Sequence, residues 1–439
     1  MKANPTPSIA CLFLLIFFST HSIAQVTNVG SRKFSIEVNG NTLKIPYYSN
    51  LNLFTADSDV TKAVVVVHGS NRNADDYYDN MVAAAGKVPD LTENMLIVAP
   101  QFLTETDIES FSLDAEHLYW TSGGWVAGSN SRDEDANPRP ERIPSFEVMD
   151  SLLMHLAKQF PNLESIVFTG HSAGGQLTQR MAATSPITDL LCSTYQISVR
   201  FIVANPSSYV YMDNNRKVGN STTQFAIPST SCNDYNEWKY GLEDLFTYPR
   251  RAGVDSIRNM FERRRVTYLL GENDNNPNSS SLDTDCEANL QGAHRLERGT
   301  VFYNYLQFYY GNTITTNHTL STVPNVGHSN FDMYNSSEGV AALFEDNSRS
   351  CGQLVNVYSE ELKQSIHIFP NPTEDFITIE SEVEEIRQLA LFDLTGRLVE
   401  SVSLSSGRYT LDLSTLESGI YLLQIKATAG SFCQKIIKR

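Results

Sequence analysis

The sequence predicts an α/β fold with a mostly parallel sheet, followed by a small all-β domain. Three observations lead to this prediction. Apolar runs rich in β-branched residues recur along residues 63–323, as in strands that are buried on both faces. Segments with helical spacing of apolar residues lie between these runs. After residue 365, short alternating strands and glycines recur every ten or so residues, which is typical of a β-sandwich.

The hydrophobic pattern and the turn- or helix-ending residues place the individual elements in order. Residues 34–38 and 43–45 alternate and flank an Asn-Gly-Asn turn, which predicts a leading hairpin. Residues 146–160 carry apolar side chains at helical spacing, and Pro161 marks the end of that helix. Buried strands of a parallel sheet are expected at residues 63–67, 95–100, 165–169, 200–206, 266–271 and 319–323.

The first residues of the chain predict an export signal. Lys2 is followed by an apolar core at 9–18 and by small residues at 22–24. The core is too short to cross a bilayer, which needs about twenty residues, and no other stretch is long enough for a stable membrane span. The predicted organisation is a signal peptide at 1–24, a first domain at 25–345, a linker at 346–364 and a second domain at 365–439.

The charge of the chain limits its partners. The formal net charge is −17, and neither nucleic acid nor an anionic membrane surface attracts an acidic protein. We therefore expect no nucleic-acid partner. The composition, with 41% hydrophobic and 19% charged residues, is that of an ordinary globular protein.

A serine turn follows the predicted strand at 165–169. Residues 170–174 read Gly-His-Ser-Ala-Gly and lead into a small-residue run of helical type. A sharp strand-to-helix turn holds its serine in a strained conformation, so the residues two before and two after must be small. The helix amino terminus then directs the amide of Ala173 to where an oxyanion would form. The turn therefore predicts a nucleophilic Ser172.

A serine hydroxyl also needs an adjacent base, which a third group orients. Polar groups that can supply these functions follow four predicted strands, at residues 68–70 (His-Gly-Ser), 170–174, 272–274 (Glu-Asn-Asp) and 327–328 (Gly-His). In these segments, and from about residue 60 to 345, the sequence resembles the α/β-hydrolase superfamily, in which the acid follows the serine and the histidine comes last. Ligands of such sheets bind beyond the carboxyl ends of the strands.

This resemblance implies a role for each residue of the site. Ser172 would be the nucleophile, His328 the general base, and Asp274 the acid that fixes the imidazole tautomer. The oxyanion would lie between backbone amides of Ala173 and of Ser70 or its neighbour Asn71.

Alternatives stay open for two of these roles. His318 and His294 are rival bases, and the rival acids are Asp283, Asp285 and Glu272. His68 and His171 also have suggestive positions, but packing or loop-orienting roles are more usual there.

Two tryptophans lie in a glycine-containing loop between sheet strands, at residues 117–126. We expect Trp120 and Trp125 to overhang the site and contact the substrate. The alternative, that both rings cover a local core, stays open.

Five cysteines follow the predicted signal peptide, namely Cys192, Cys232, Cys286, Cys351 and Cys433. An oxidising compartment permits disulfides, and an odd number leaves at least one cysteine unpaired. The preferred bridge joins Cys232 to Cys286, because both lie in polar, loop-like stretches near the predicted site; buried free thiols are the alternative. No metal or cofactor is expected, since the Asn- and Asp-rich loop at 273–285 lacks the ligand order and turn glycine of a calcium loop.

The C-terminal region carries a second resemblance. Its matching segments are 369–373 (Phe-Pro-Asn-Pro-Thr), 392–397 (Phe-Asp-Leu-Thr-Gly-Arg), 411–422 and the basic end at 435–438. They resemble the C-terminal sorting domain of the type IX secretion system. The resemblance implies export across both membranes of a Gram-negative cell, with the secretion machinery as partner. A carbohydrate-binding sandwich is the alternative, and the absence of tryptophan from the segment speaks against it.

Together these patterns predict a secreted or surface-located serine hydrolase that acts through an acyl-enzyme. Its expected substrate is a carboxylic ester, on a small molecule, an acylated polysaccharide or a polyester. A serine peptidase of the same fold and a non-catalytic binding protein with a hydrolase fold are the alternatives.

Overall fold

The computed structural model describes residues 26–345, 351, 365–381, 385–393, 398–427 and 430–439. The predicted signal peptide at 1–24 lies outside these residues, as does the predicted linker at 346–364 apart from Cys351. The described chain forms an α/β part followed by an all-β part.

Ten strands belong to the α/β part. They are β1 Arg32–Val38, β2 Asn41–Ser49, β3 Lys62–Val67, β4 Met95–Pro100, β5 Ser165–His171, β6 Ser198–Ala204, β7 Arg216–Lys217, β8 Phe225–Ala226, β9 Arg265–Gly271 and β10 His318–Val323. Eight of them form one sheet in the order β1-β2-β4-β3-β5-β6-β9-β10, while β7 and β8 form a separate short hairpin. β1 and β2 pair antiparallel, as do β2 and β4, and all other neighbours in the sheet are parallel.

The helices of the described residues connect these strands. They are α1 Ala74–Ala85, α2 Pro89–Thr92, α3 Glu105–Ser110, α4 Ser145–Gln159, α5 Ala173–Thr184, α6 Ile187–Tyr195, α7 Thr247–Ala252, α8 Val254–Arg263, α9 Cys286–Asn289, α10 Arg295–Tyr310, α11 Asn330–Asn335 and α12 Ser337–Phe344. Short 3₁₀ turns lie at Trp125–Ala127 and Asn312–Thr316. The mostly parallel sheet with its connecting helices is the α/β-hydrolase fold that the sequence predicted.

The central strands are buried on both faces, as their unbroken apolar sequences predicted. On β3, Val65 and Val67 belong to the hydrophobic core on one side of the sheet, whereas Val64 and Val66 belong to the core on the other side. All four side chains are fully buried. Because successive side chains of a strand point to opposite faces, helices must cover both sides of this sheet.

The register of the sheet brings the carboxyl ends of its strands to one level. Val67 of β3 pairs with Gly170 of β5. Farther along the sheet, Val323 of β10 pairs with Gly271 of β9. The loops that leave β3, β5, β9 and β10 therefore begin along one edge, where a site can be assembled from four separate segments.

The all-β part consists of two antiparallel sheets. Its strands are β11 Ile366–Phe369, β12 Phe376–Ser381, β13 Ile386–Phe392, β14 Leu398–Ser406, β15 Arg408–Asp412, β16 Gly419–Ala427 and β17 Gly430–Lys438. One sheet has the order β11-β12-β15 and the other β14-β13-β16-β17, and side chains of both enclose a single core. The short alternating strands that the sequence predicted after residue 365 are confirmed.

Candidate active site

Ser172 occupies a strained turn between β5 and α5. Its φ is 59° and its ψ is −120°, a conformation that residues other than glycine rarely adopt. A Cβ atom on Gly170 would lie 2.3 Å from the carbonyl oxygen of Gly174, and one on Gly174 would lie 2.3 Å from that of Val67. The two glycines are therefore needed for the close approach of backbone segments, as the pentapeptide spacing indicated.

Three side chains from different loops form one hydrogen-bonded chain at this turn. His328 Nε2 lies 2.9 Å from Ser172 Oγ, and His328 Nδ1 lies 2.6 Å from Asp274 Oδ2. The geometry fits an imidazole whose Nδ1–H donates to the carboxylate and whose Nε2 accepts the serine proton. The structure thus brings together the three residues that the sequence singled out, while their catalytic roles stay a prediction.

Asp274 has a second partner that the sequence did not reveal. Its side chain is buried, and Arg295 Nη1 lies 3.4 Å from its Oδ1. Arg295 is fully buried too and also donates to the hydroxyl of Ser281 at 3.0 Å. A buried carboxylate needs compensating charge or hydrogen bonds. Asp274 receives them on both oxygens, from Arg295 on one and His328 on the other.

Two further histidines, His171 and His68, are buried. The ring centroid of His171 lies 4.5 Å from that of His328, and the hydroxyl of Tyr77 lies 3.2 Å from His171 Nδ1. Burial, with smaller contributions from His328 and Arg295, lowers the pKa of His171 well below its usual value. Burial likewise lowers the pKa of His68 to about 4. Both rings are therefore neutral near neutral pH.

The predicted oxyanion donors lie beside Ser172. Ser70 and Asn71 line the same cleft as Ser172, in the loop that follows β3. Ala173 is the first residue of α5, and the first amides of a helix have no acceptor within it. Their role as oxyanion donors stays a prediction.

A buried ion pair anchors this loop. Arg72 Nε and Nη2 lie 2.8 and 3.0 Å from the two carboxylate oxygens of Asp107, and Arg72 Nη1 donates to the carbonyl oxygen of Ser70 at 3.1 Å. The Thr104 amide and hydroxyl also donate to Asp107, at 2.7 and 2.8 Å. Burial alone would raise the pKa of Asp107, but the hydrogen bonds from Arg72 and Thr104 hold it below its usual value.

Four of the five rival candidates for base and acid make hydrogen bonds with other groups. His318 is fully buried at the start of β10, where its ring hydrogen-bonds to a tyrosine hydroxyl and a main-chain carbonyl. His294 caps α10, accepting the Glu297 amide. Asp283 and Asp285 each have a carboxylate oxygen near the same tyrosine hydroxyl, at 3.0 and 2.9 Å. Glu272 is exposed to solvent.

The expectation that Trp120 and Trp125 contact substrate is wrong. Their exposed fractions are 1% and 0%. Trp125 stacks on Phe102 with ring centroids 5.2 Å apart and meets His68 edge-on at 4.8 Å, and Trp120 donates its indole N–H to the Ser129 carbonyl. The loop turns inward, because two large aromatic rings gain more from burial than from exposure to water.

A polar cleft of 510 Å³ opens in front of Ser172. Its walls come from the loop after β3, from α1 and from the start of α11. Asp76 and Asp79 contribute carboxylates and Phe331 an aromatic ring that is 49% exposed. No lysine or arginine is among the described residues that line this cleft. The cleft in front of Ser172 is therefore polar, and two carboxylates line it.

Asn205 joins two of the loops that form the site. Its Oδ1 accepts the Gly271 amide at 2.8 Å, and its Nδ2 donates to the Gly327 carbonyl at 3.3 Å. The side chain is fully buried. Because Gly271 precedes the Asp274 loop and Gly327 precedes His328, this one amide holds the loops of the acid and the base together. In the sequence, the only indication of this role is that Asn205 follows a predicted strand.

The predicted disulfide between Cys232 and Cys286 is confirmed. These two cysteines, with Asp234 and Glu287, form a group of side chains that could hold a metal ion. Because both sulfurs are joined in the disulfide, they are not available as thiolate ligands.

Comparison with known proteins identifies the C-terminal part. Residues 367–439 match the family of secretion system C-terminal sorting domains. No curated protein matches the chain. The tail is thus a sorting domain rather than a carbohydrate-binding sandwich, and no helix among the described residues is long and apolar enough to cross a membrane.

Several solved structures are similar to this chain. Poly(aspartic acid) hydrolase-1 from Sphingomonas sp. KT-1 is 24% identical with a TM-score of 0.45, over 72% of this chain and 99% of that one. LpqC, a poly(3-hydroxybutyrate) depolymerase from Bordetella parapertussis, is 19% identical with a TM-score of 0.46, over 75% and 95%. An IroE-like serine hydrolase from Shewanella oneidensis is 11% identical with a TM-score of 0.35, over 76% and 84%. The chain has the α/β-hydrolase fold and ends in a sorting domain that indicates export by type IX secretion to the cell surface or the exterior.

Proposed function

We propose that this protein is a serine hydrolase that cleaves carboxylic esters through an acyl-enzyme. The observation that carries the proposal is the hydrogen-bonded chain from Ser172 Oγ through His328 to Asp274, with distances of 2.9 and 2.6 Å. The strained turn at Ser172 supports the proposal further. Strained backbone conformations persist only where the surrounding structure maintains them, and they cluster at active sites.

Each group has a defined part in the proposed reaction. His328 Nε2 takes the Ser172 proton as Oγ attacks the ester carbonyl, and Asp274 stabilises the resulting imidazolium. Amides of Ala173 and of Ser70 or Asn71 donate to the oxyanion. The imidazolium then protonates the departing alcohol, which leaves an acyl group on Ser172. Water, deprotonated by His328, attacks this acyl group. The carboxylic acid product departs as Ser172 regains a proton from His328.

The cleft supports a polar substrate. Its lining combines asparagine, serine and aspartate side chains with one exposed aromatic ring, Phe331. Such a surface suits short or hydroxylated acyl and alcohol groups better than a long alkyl chain, which needs an apolar wall. An acylated polysaccharide or a polyester of hydroxy acids meets this requirement.

The proposal is tested with a fluorophosphonate probe and p-nitrophenyl acetate. Wild-type protein is expected to be labelled and to hydrolyse the ester, whereas Ser172→Ala is expected to lose labelling and about 10⁴-fold or more in kcat. Ser58→Ala, at an exposed serine, is the matched control and should retain both. Labelling that survives Ser172→Ala would refute the nucleophile assignment.

The base is tested by a pair of equivalent substitutions. His328→Asn should abolish turnover, since asparagine cannot accept the serine proton. His294→Asn should leave turnover unchanged, because asparagine also caps a helix well. Cleavage of unblocked peptide amides as fast as esters would instead identify a peptidase, and a protein that ignores the probe would be a non-catalytic binding protein.

A further inference from the structure

Arg295 is the first residue of α10, 21 positions after Asp274. This helix packs closely on β9, since a Cβ atom on Gly299 would lie 2.4 Å from Leu270 Cδ1. Its first turn also binds the loop that follows β9, because the Leu296 amide donates to the Asp274 carbonyl at 3.1 Å. The fold therefore fixes the position from which the Arg295 side chain reaches Asp274.

The guanidinium of Arg295 contacts Asp274 on the oxygen that His328 does not use. Nη1 of Arg295 lies 3.4 Å from Oδ1, while His328 Nδ1 lies 2.6 Å from Oδ2. Nη1 also lies 3.4 Å from the hydroxyl of Ser279, and Nη2 lies 3.0 Å from that of Ser281. The carboxylate of Asp274 thus lies between a permanent cation and the imidazole ring.

Stability alone is a weak reason for a charge at this place. Arg295 is 1% exposed, and its Nε has no hydrogen-bond partner among the described residues. A buried N–H without a partner costs free energy, and a buried ion pair often adds little net stability. Residues that break such rules are expected at functional sites.

We propose that Arg295 is a positioning residue, which holds the Asp274 carboxylate against His328 and offsets part of its negative charge. This role rests on the proposed function, because it concerns the base of that reaction. A carboxylate beside an imidazole favours the protonated ring. The positive charge of Arg295 weakens this effect, so that His328 is available to accept the Ser172 proton at a lower pH than it would be beside an uncompensated carboxylate.

The other titratable groups near His328 are the same with and without Arg295. The ring centroid of His171 lies 4.5 Å from that of His328. Burial, with smaller contributions from His328 and Arg295, lowers the pKa of His171 well below its usual value, so this ring is neutral near neutral pH. Asp76 and Asp79 of α1 line the cleft in front of Ser172. A substitution at Arg295 leaves both carboxylates in place.

A matched pair of substitutions on α10 separates this role from a purely structural one. Arg298 lies one turn further along the helix and is buried as completely as Arg295. Its guanidinium donates to the main-chain carbonyls of Ser207 and Asp283, and none of its described hydrogen bonds goes to Asp274. The carboxylate of Asp283 acts on both arginines. Arg295→Gln and Arg298→Gln each remove one buried charge, so both should lower Tm.

The measurement is the pH dependence of the full chain between pH 5 and pH 9. It follows the rate constant of fluorophosphonate labelling and kcat/KM for p-nitrophenyl acetate. In Arg295→Gln the midpoint of the acid limb should move up by about 1 pH unit. At the plateau, kcat should fall about 10-fold while KM changes less than about threefold. Arg298→Gln should keep the wild-type midpoint, and Arg295→Lys, which keeps the charge, should restore it.

An unshifted midpoint in a folded Arg295→Gln, or an equal shift in Arg298→Gln, overturns the proposal. If Arg295→Gln does not fold, Arg295→Lys decides. A midpoint that moves up by about 1 pH unit although the charge is retained overturns the proposal, and the wild-type midpoint with a lowered kcat supports it. Failure of the proposed function has a different result, because labelling would then survive Ser172→Ala. Loss of labelling in Ser172→Ala together with an unshifted midpoint in Arg295→Gln refutes the role of Arg295 alone.

Discussion

The buried ion pair behind the Ser70–Asn71 loop can be tested by one conservative substitution. Asp107→Asn keeps the shape of the side chain but removes the charge opposite Arg72. Asp107 accepts two hydrogen bonds from Arg72 and two from Thr104. An asparagine has one carbonyl oxygen for these donors, so its NH₂ group must face some of them. The guanidinium of Arg72, which is 1% exposed, then loses the negative charge of Asp107.

The expected loss follows from the burial of both partners. Removing one member of a buried pair costs about 3 to 5 kcal/mol. With about 2.1 cal/mol/K of unfolding entropy per residue, the roughly 320 residues of the α/β part have about 0.7 kcal/mol/K. The expected fall in Tm is therefore about 4 to 7 °C. Glu116→Gln is the control, because Glu116 and its partner Lys44 are partly exposed and such pairs contribute about 1 kcal/mol or less.

The difference in Tm between wild type and Asp107→Asn should depend on pH in a defined direction. The pKa of Asp107 in the folded chain lies below its usual value of 3.8. Between these two values the unfolded chain binds more protons than the folded chain, so Asp107 stabilises the fold above about pH 3.8 and the contribution is lost as pH falls through the lower folded value. The gap in Tm between wild type and Asp107→Asn should narrow below pH 3.8.

Circular dichroism melts between pH 3 and pH 7 measure the fall in Tm and its dependence on pH. Turnover of p-nitrophenyl acetate is a further measurement, because a looser Ser70–Asn71 loop should lower kcat more than it changes KM. If Asp107→Asn melts within about 1 °C of wild type at pH 7, as Glu116→Gln is expected to do, the assignment of Arg72 and Asp107 as the anchor of this loop is refuted.

Three further predictions concern the turn, the cleft and the tail. Gly170→Ala should lower kcat/KM at least about 100-fold in a folded protein, because its Cβ would meet the Gly174 carbonyl oxygen at 2.3 Å and displace the serine; activity within threefold of wild type would contradict this. The double variant Asp76→Asn with Asp79→Asn should raise kcat/KM for an anionic ester relative to a neutral one, by an amount that shrinks with added salt; an unchanged ratio would show that these carboxylates do not select charge. Deletion from residue 366 onward should abolish export and leave kcat/KM for p-nitrophenyl acetate unchanged; a large loss of activity would mean that the tail takes part in function.

The main features of the sheet and the serine turn could be predicted because they depend on local sequence. A run such as residues 63–67 can be buried on both faces only within a covered parallel sheet. Once the strands are known, their carboxyl ends must share an edge. For this reason Ser172, Asp274 and His328 could be grouped from segments that lie 54 to 156 positions apart.

Other parts of the site depend on contacts between distant segments. Tyr77 on α1 and Arg295 on α10 reach the site only after these helices dock, and neither has a local signature in the sequence. The prediction that the tryptophan loop contacts substrate was wrong for a related reason. A glycine-containing loop with two aromatic rings fits an overhanging flap or an inward fold equally well. Burial against Phe102 and His68 decides between them, and that contact is tertiary.

The proposed choice of His328 as base also has an electrostatic argument that the order of residues along the chain does not provide. A general base must become a cation during the reaction, which is unfavourable for a buried ring without a carboxylate partner. Burial lowers the pKa of His68 and of His318 to about 4, and it lowers the pKa of His171 well below its usual value. His328 differs from all three, because its side chain is 22% exposed and its Nδ1 lies 2.6 Å from the carboxylate of Asp274. Among these four histidines, it is the ring that hydrogen-bonds to a carboxylate.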